Sequence, residues 1–249
     1  MNSEIVIKLF KALVSSTAMY AATIWSLRYM KKIEKIQNIL FRKLLLMPNN
    51  RPGYVIRTEI GIESMQVTIF RVLLNFIKRI LEMQEERIPK ICLKKLIELA
   101  NRTYNWVNQI KKYFLEKIGK IDLFNNLTLE SFLKEKENLI KEFESYSKKE
   151  DILSIETSTS LTVYPWLFKI NPNNNYLNLK IPINDKKILA QLRVLNIYNR
   201  RVLTKKKIYT LNEDDYCEYC AEKNSILHSI IDCEKYSDYR VKINTRNSK

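Results

Sequence analysis

Glycine is almost missing from this chain, with three residues in 249. Loops that cradle the phosphates of a nucleotide need several, because only a backbone without Cβ comes that close to the ligand. Neither a Walker A loop nor a dinucleotide fingerprint is present, so nucleotide-cofactor enzymes fall away. Long apolar runs are missing too. Residues Ala12 to Leu27 are only mildly apolar and carry Ser15, Ser16, Thr17 and Thr23, which makes the run too short and too polar to span a bilayer well. It lies behind Lys8 and Lys11 and could pass for a signal peptide. The recurrence of Leu9, Leu13, Tyr20 and Ile24, with Trp25 beside them, instead predicts a folded amphipathic helix turned to the core. Acidic residues are a minority, 27 against 43 Lys and Arg, and histidine is reduced to His228 alone. The four cysteines, three of them crowded near the end, point to metal in a reducing compartment rather than to a disulfide framework.

What is there is globular: 46% hydrophobic and 28% charged. Three stretches up to residue 83 show helical spacing. The second, from Arg28 to Met47, places Ile33, Ile36, Leu40, Leu44 and Met47 on one face, and Pro48, Asn49, Asn50, Pro52 and Gly53 break it. The third runs from Val67 to Met83. Residues 84–150 read as further helix: Pro89 suits a first turn, and Val107, Ile110, Phe114 and Ile118 share a face. Thr128 suits the N-cap of a helix carrying Phe132, Leu133, Leu139, Ile140 and Phe143. Cys92 is read as a buried thiol. Between 151 and 183, Ser and Thr cluster before Pro165, Pro172 and Pro182, which predicts an irregular, partly extended linker. Tyr164, Trp166, Phe168 and Tyr176 within it pin the linker to the core or stack on bases. A last helix is expected from Asn184 to Tyr209, burying Ile188, Leu192, Leu195, Tyr198 and Val202. The expected fold is therefore mainly α. It has a helical bundle over 1–83, a helical connector over 84–150 and the linker over 151–183. A basic helix with a small metal module fills 184–249.

The excess of cations, +16 in formal charge, sets up a field that attracts polyanions, nucleic acid first and an anionic membrane surface second. A Lys- and Asn-rich composition inherited from an AT-rich genome would produce the same total, so placement matters more. Residues 186–212 hold eight basic side chains and no acidic one. On one helix Lys186, Arg193, Arg200 and Lys207, seven apart, would form a nearly straight stripe able to follow successive phosphates. Arg28, Lys31, Lys32, Lys35 and Arg42 fall in one sector of the earlier helix, with Glu34 outside it and Ile39 and Leu46 intruding. Two one-sign faces favour phosphate binding over two merely solvated surfaces, and neither predicts base specificity. A membrane role is disfavoured, because these helices lack a large exposed apolar face.

The sharpest local motif is Cys217-x2-Cys220-x7-His228-x4-Cys233. A C-x2-C turn sets two thiolates on one side of a single ion, and a later His and Cys can complete a tetrahedron around zinc. Four protein ligands leave no open position for water, so such a site is structural. The competing reading is a small core of reduced cysteines with a surface histidine. Asp214 and Asp215 have no third carboxylate nearby and are read as a solvated turn.

Three blocks resemble the C-terminal part of non-LTR, LINE-type (jockey-like) retrotransposon reverse transcriptases. The first runs from Lys8-Leu9-Phe10-Lys11 through Tyr20, Trp25 and Ile36-Gln37 to Phe41-Arg42-Lys43-Leu44-Leu45 and Met47-Pro48, and looks like the thumb that follows the palm. The second, Glu59-Ile60-Gly61-Ile62, is similar to a recurring Glu-Leu-Gly-Ile segment, with Arg71 downstream. The third joins Ala190-Gln191-Leu192-Arg193, similar to an Ala-x-Leu-Arg helix, to the Cys-Cys-His-Cys set with Tyr236 and Arg240 behind it. Residues 84–180 match only in helical character. Ala221 stands where Gly often follows the second Cys, and Glu234 where Pro often follows the last.

The polymerase's Tyr-x-Asp-Asp palm turn, which holds two magnesium ions, does not occur, nor does a C-terminal endonuclease motif, and Met1 falls about where the palm would end. The resemblance thus implies a non-catalytic, thumb-to-zinc portion of an RNA-directed DNA polymerase from a transposable element, without catalysis of its own and with no Mg2+ site. It implies structural Zn2+ on Cys217, Cys220, His228 and Cys233. It further implies a grip on primer-template or target RNA and DNA by the two basic faces, a separate palm-containing segment as partner, and a nuclear or nuclear-and-cytoplasmic location. The alternative is a decayed remnant, or a domesticated structural protein with no polymerase role.

Overall fold

The structure, a computed structural model, describes residues 3–100, 104–125, 127–159, 161, 164–170, 175–177, 181–195, 201–204, 208–210, 216–222, 228 and 233–237. It is mainly helical. Helix α1 (Ser3–Leu9) widens into a π-turn over Phe10–Ser15 and closes as α2 (Ser16–Ala18). Then follow α3 (Ala22–Leu44), α4 (Gly53–Ile60), α5 (Met65–Leu81), α6 (Ile88–Leu99), α7 (Trp106–Ile110), α8 (Leu129–Glu156), α9 (Tyr164–Ile170) and α10 (Ile183–Arg193). Two short strands, β1 (Arg201–Leu203) and β2 (Ile208–Thr210), pair antiparallel with Val202 opposite Tyr209.

Helix α5 is the centre of the packing. Its N-cap Ser64 accepts the Gln66 N–H at 3.1 Å, which satisfies a donor that the first turn leaves open. Val67, Phe70, Leu73, Leu74 and Ile77 are all buried. Helix α3 covers one flank and α8 the other. Phe70 stacks on Phe114 at 4.8 Å between ring centres, and Phe143 reaches both at 5.1 Å. Helix α8 starts where Thr128 predicts, in a reciprocal capping box with Ser131. Pro89 lies in the first turn of α6.

Two glycines explain how α4 fits. A Cβ on Gly53 would lie 2.4 Å from Asn38 Nδ2, so glycine lets α4 start against α3 without moving the Asn38 side chain. Gly61 has a left-handed φ of 73°, and its N–H and that of Ile62 both return to the Arg57 carbonyl, at 2.8 and 3.0 Å. The glycine of the Glu-Ile-Gly-Ile segment is thus a helix stop. Within α4, Arg57 donates to Asp151 on α8 and pairs with Glu34 on α3, tying the three helices together. Glu34 also accepts from the Met65 N–H at 2.9 Å.

Several expectations need correction. Leu9, Leu13, Tyr20 and Ile24 are exposed, at 51, 64, 83 and 80%, while Phe10, Ala22 and Leu27 are buried. The stretch is not one α-helix: the π-turn and a left-handed Ala21 (φ 51°) shift its phase, and Phe10 instead packs on Phe41 at 5.1 Å. Ile36 and Leu133 point outward, as does Cys92. The described part of 151–183 is largely helical and packed on the body: α8 extends to Glu156, α9 follows, and Leu161, Tyr164 and Leu177 join the same buried cluster as Phe10 and Val194. Trp166's side chain lies outside the described residues. The last helix ends at Arg193 rather than Tyr209, because the chain turns into the β1–β2 pair. Leu195 and Val202 are buried as expected, and Tyr198 lies outside the described residues. Among the described residues no single helix is long and apolar enough to cross a membrane.

Candidate metal centre and basic face

The last core residues of α10 lead into the metal motif by way of the strand pair. Gln191, buried on α10, accepts the Leu203 N–H at 2.7 Å and donates to the Leu203 carbonyl at 2.9 Å, so helix and strand are joined by both groups of one amide. Beyond β2 the chain makes a tight turn. The Ala221 N–H donates to the Cys217 carbonyl at 2.8 Å, and the Cys217 N–H donates to the Glu222 carbonyl at 2.7 Å. Ala221 holds a left-handed φ of 55° to close it. A second short bond, from the Cys233 N–H to the His228 carbonyl at 2.7 Å, sets the other two candidate ligands side by side. Cys233 and His228 are buried, and Cys217 and Cys220 half-buried.

The four ligand atoms all lie within 4.8 Å of one another, close enough to hold one metal ion. Cys233 Sγ is 3.7 Å from Cys217 Sγ and 3.8 Å from Cys220 Sγ. Those separations are far beyond the roughly 2.05 Å of a disulfide. They match the edge of a tetrahedron whose zinc–sulfur arms are about 2.3 Å, since that edge is roughly 1.6 arm lengths, or about 3.8 Å. Three sulfurs and an imidazole form a soft-to-borderline donor set, compatible with zinc and foreign to Mg2+ or Ca2+. One of the protons that a metal would displace is already loosened: contact with His228, helped by the backbone N–H groups of Cys220 and Tyr219, lowers the Cys217 thiol to about 6. The same contact raises His228, while burial raises Cys233.

The expected basic faces fare differently. On α3, Arg28, Lys31, Lys32 and Lys35 are exposed, and none makes an ion pair among the described residues. The helix bends at Tyr29, whose backbone is non-helical (φ −116°, ψ 15°). Arg28 and Lys32 lie 5.7 and 5.1 Å from the centre of its ring, so the aromatic face gathers two of the cations. Arg42 leaves this face: half-buried, it donates to the Arg51 carbonyl at 2.6 Å and secures the loop before α4. Lys43, not singled out from the sequence, is exposed and at 100° per residue falls in the same sector as Lys32, about three turns further along α3.

The C-terminal stripe is not formed. Lys186 is buried and donates to the Leu177 carbonyl. Arg193 turns inward, where its Nε donates to Glu59 Oε1 at 2.9 Å, and its guanidinium lies 5.8 and 5.6 Å from the ring centres of Tyr164 and Tyr176. The Tyr176 hydroxyl also donates to Glu59. Arg200 and Lys207 lie outside the described residues. The Glu-Ile-Gly-Ile and Ala-x-Leu-Arg blocks, apart in sequence, therefore meet in one buried polar cluster. Burial pushes the Glu59 carboxyl up, with Arg193 and the two tyrosine hydroxyls opposing it. No protein-family model, curated protein or solved structure matches the chain.

Proposed function

We propose that this protein binds nucleic acid through the phosphate backbone and that a structural zinc ion on Cys217, Cys220, His228 and Cys233 orders its C-terminal segment. The observation that carries the nucleic-acid reading is the exposed, one-sign face of α3: Arg28, Lys31, Lys32 and Lys35, unpaired among the described residues, with Lys43 further along the same helix. A face of this kind releases counterions on meeting phosphates, which makes binding tight at low salt and indifferent to base sequence. Zinc with four protein ligands has no site for substrate, so its contribution is to folding. The motif likeness makes the proposal more specific: the chain serves as the non-catalytic, thumb-to-zinc part of a LINE-type reverse transcriptase, gripping primer-template or target RNA and DNA for a separate palm-bearing segment.

The test is binding of the zinc-loaded protein to an RNA–DNA hybrid over a salt series. It is run beside Cys217→Ser/Cys220→Ser and Arg28→Gln/Lys32→Gln/Lys35→Gln. The expected result is a steep fall of affinity with salt. At about 0.7–0.9 per phosphate contact, the α3 variant should flatten the log–log slope by roughly 2–3, and the cysteine variant should bind more weakly. Weak binding of equal slope by all three proteins would overturn the proposal and leave the +16 charge as composition alone.

A further inference from the structure

Glu222 touches two of the four candidate ligands through two different groups. Its backbone carbonyl accepts the Cys217 N–H at 2.7 Å, and its carboxylate Oε2 lies 2.9 Å from His228 Nδ1, an ion-pair contact that falls off the N–H direction. The second contact distinguishes the two ring nitrogens. An imidazole binds a metal through one nitrogen and in most sites donates the N–H of the other to a carboxylate or carbonyl. That bond fixes both the tautomer and the plane of the ring. With the Glu222 carboxylate beside Nδ1, Nε2 is the nitrogen such an arrangement would leave for the ion.

Resting on the zinc reading above, we propose that Glu222 is the positioning residue of this metal centre. Its exposed carboxylate, 2.9 Å from Nδ1, needs only a small turn to take the Nδ1–H of His228 when the ion binds, so that neutral imidazole meets zinc through Nε2. The contact is not a simple surface ion pair, because its two ends differ: the His228 side chain is 6% exposed and that of Glu222 68%. One end is fixed in the buried cluster while the other keeps part of its hydration, so the carboxylate can orient the ring at a small desolvation cost. The C-x2-C turn supplies the same residue from the other direction. By closing on Cys217, the Glu222 carbonyl fixes the backbone from which its carboxylate reaches the ring. The short segment Cys217–Glu222 therefore carries two thiolates and the orienting group for the third kind of ligand. Neither the charge pattern nor the Cys-Cys-His-Cys spacing marks Glu222.

His228 is the only histidine, so the imidazole region of a long-range 1H–15N spectrum of the full chain reports on it alone. In the zinc-loaded protein, Nδ1 is expected as the protonated nitrogen and Nε2 as the metal-bound one. Glu222→Ala, at an exposed position that keeps the backbone bond to Cys217, should weaken zinc about 10–100-fold in chelator competition. Glu222→Gln, whose amide oxygen can still accept from Nδ1–H, should recover most of that loss, and all three proteins should give the cobalt(II) spectrum of a tetrahedral three-sulfur, one-nitrogen site. An Nε2–H tautomer, or a Glu222→Ala affinity within about twofold of wild type, would overturn the proposal while leaving the zinc site intact. Zinc that leaves the His228 signals unmoved in the wild-type chain would overturn the zinc reading, and this inference with it.

Discussion

Arg193 offers the clearest discrimination between a cation that holds the fold and one that holds a phosphate. Replacing it with Met keeps the volume of the stem but removes the guanidinium that faces Glu59, a residue at 0% exposure, and that lies between the rings of Tyr164 and Tyr176. Removing one partner of a buried ion pair leaves the other charge without compensation, at a cost of about 3–5 kcal/mol. That is a large share of the roughly 5–15 kcal/mol by which a domain is stable. Urea unfolding of Arg193→Met should therefore show a strongly lowered midpoint. The pH dependence supplies a second check. Burial already pushes the Glu59 carboxyl up, and Arg193 is the charge that opposes this. Without Arg193, the folded value lies further above the unfolded one. A group raised in this way contributes stability that is complete below its unfolded pKa and lost as pH rises through the folded value. The deficit of Arg193→Met should thus be smaller near pH 5 than near pH 8. Glu59→Gln/Arg193→Met should recover a good part of the loss, because the amide can still accept from the Tyr176 hydroxyl. The reasoning fails if Arg193→Met unfolds within about 0.5 kcal/mol of wild type, the range of an unremarkable surface change. If that variant were also to lose affinity for nucleic acid, Arg193 would be returned to the expected phosphate contacts.

Three smaller perturbations test other parts of the structure. Ala221→Gly removes a Cβ from a left-handed residue in the metal-site turn; it should tighten zinc binding by about 0.5–1 kcal/mol, measured by chelator competition. Phe10→Ala should cost about 3–5 kcal/mol in chemical unfolding, while its neighbour Leu9→Gln, at 51% exposure, should stay within about 0.5 kcal/mol. Burial works to raise the Glu63 carboxyl, but Arg71 outweighs it and holds the group below its ordinary value. The resulting stability is present above the ordinary carboxylate range and lost as pH falls through the lowered folded value. Arg71→Gln should therefore lose about 0.5–1 kcal/mol at pH 7, and the gap should close under acid.

The parts of the fold that were readable in advance are those fixed by local backbone chemistry. Thr128 caps α8 because a β-region threonine can accept from the third residue of the helix, and Pro89 fits the first turn of α6 because its missing N–H is not needed there. The Cys-Cys-His-Cys cluster was legible for the same reason, since its spacing is a statement about turns. The phase of the N-terminal stretch was not. Helical spacing assumes 3.6 residues per turn, and the π-turn at Phe10–Ser15 breaks that count, so the apolar residues that align on paper as a core face emerge in solvent. The end of α10 was not legible either. No glycine or proline marks Arg193, and the residues after it keep a helical pattern; what overrides them is the strand pair and the Gln191 amide that joins helix to strand.

The fate of the seven expected phosphate contacts that lie among the described residues has a common physical cause. Charge pattern reports which face of an isolated helix is basic, but not whether an acid or a carbonyl elsewhere in the fold will claim it. Glu59 precedes Arg193 by 134 residues, and nothing local to either predicts that they will meet. Arg42 and Lys186 are claimed by backbone carbonyls, acceptors that every residue carries and no composition reveals. The cations that remain outward on α3 sit on a helix whose inward side is occupied by Ile33, Gln37 and Phe41, and whose one nearby acid, Glu34, is already held by Arg57 and the Met65 N–H. A basic face stays available to an outside anion when the acids within its reach are engaged elsewhere. On α3 that condition is met by the same Glu34–Arg57–Asp151 network that ties α3 to α4 and α8, so the packing of the helical body and the availability of its outward basic surface have one origin.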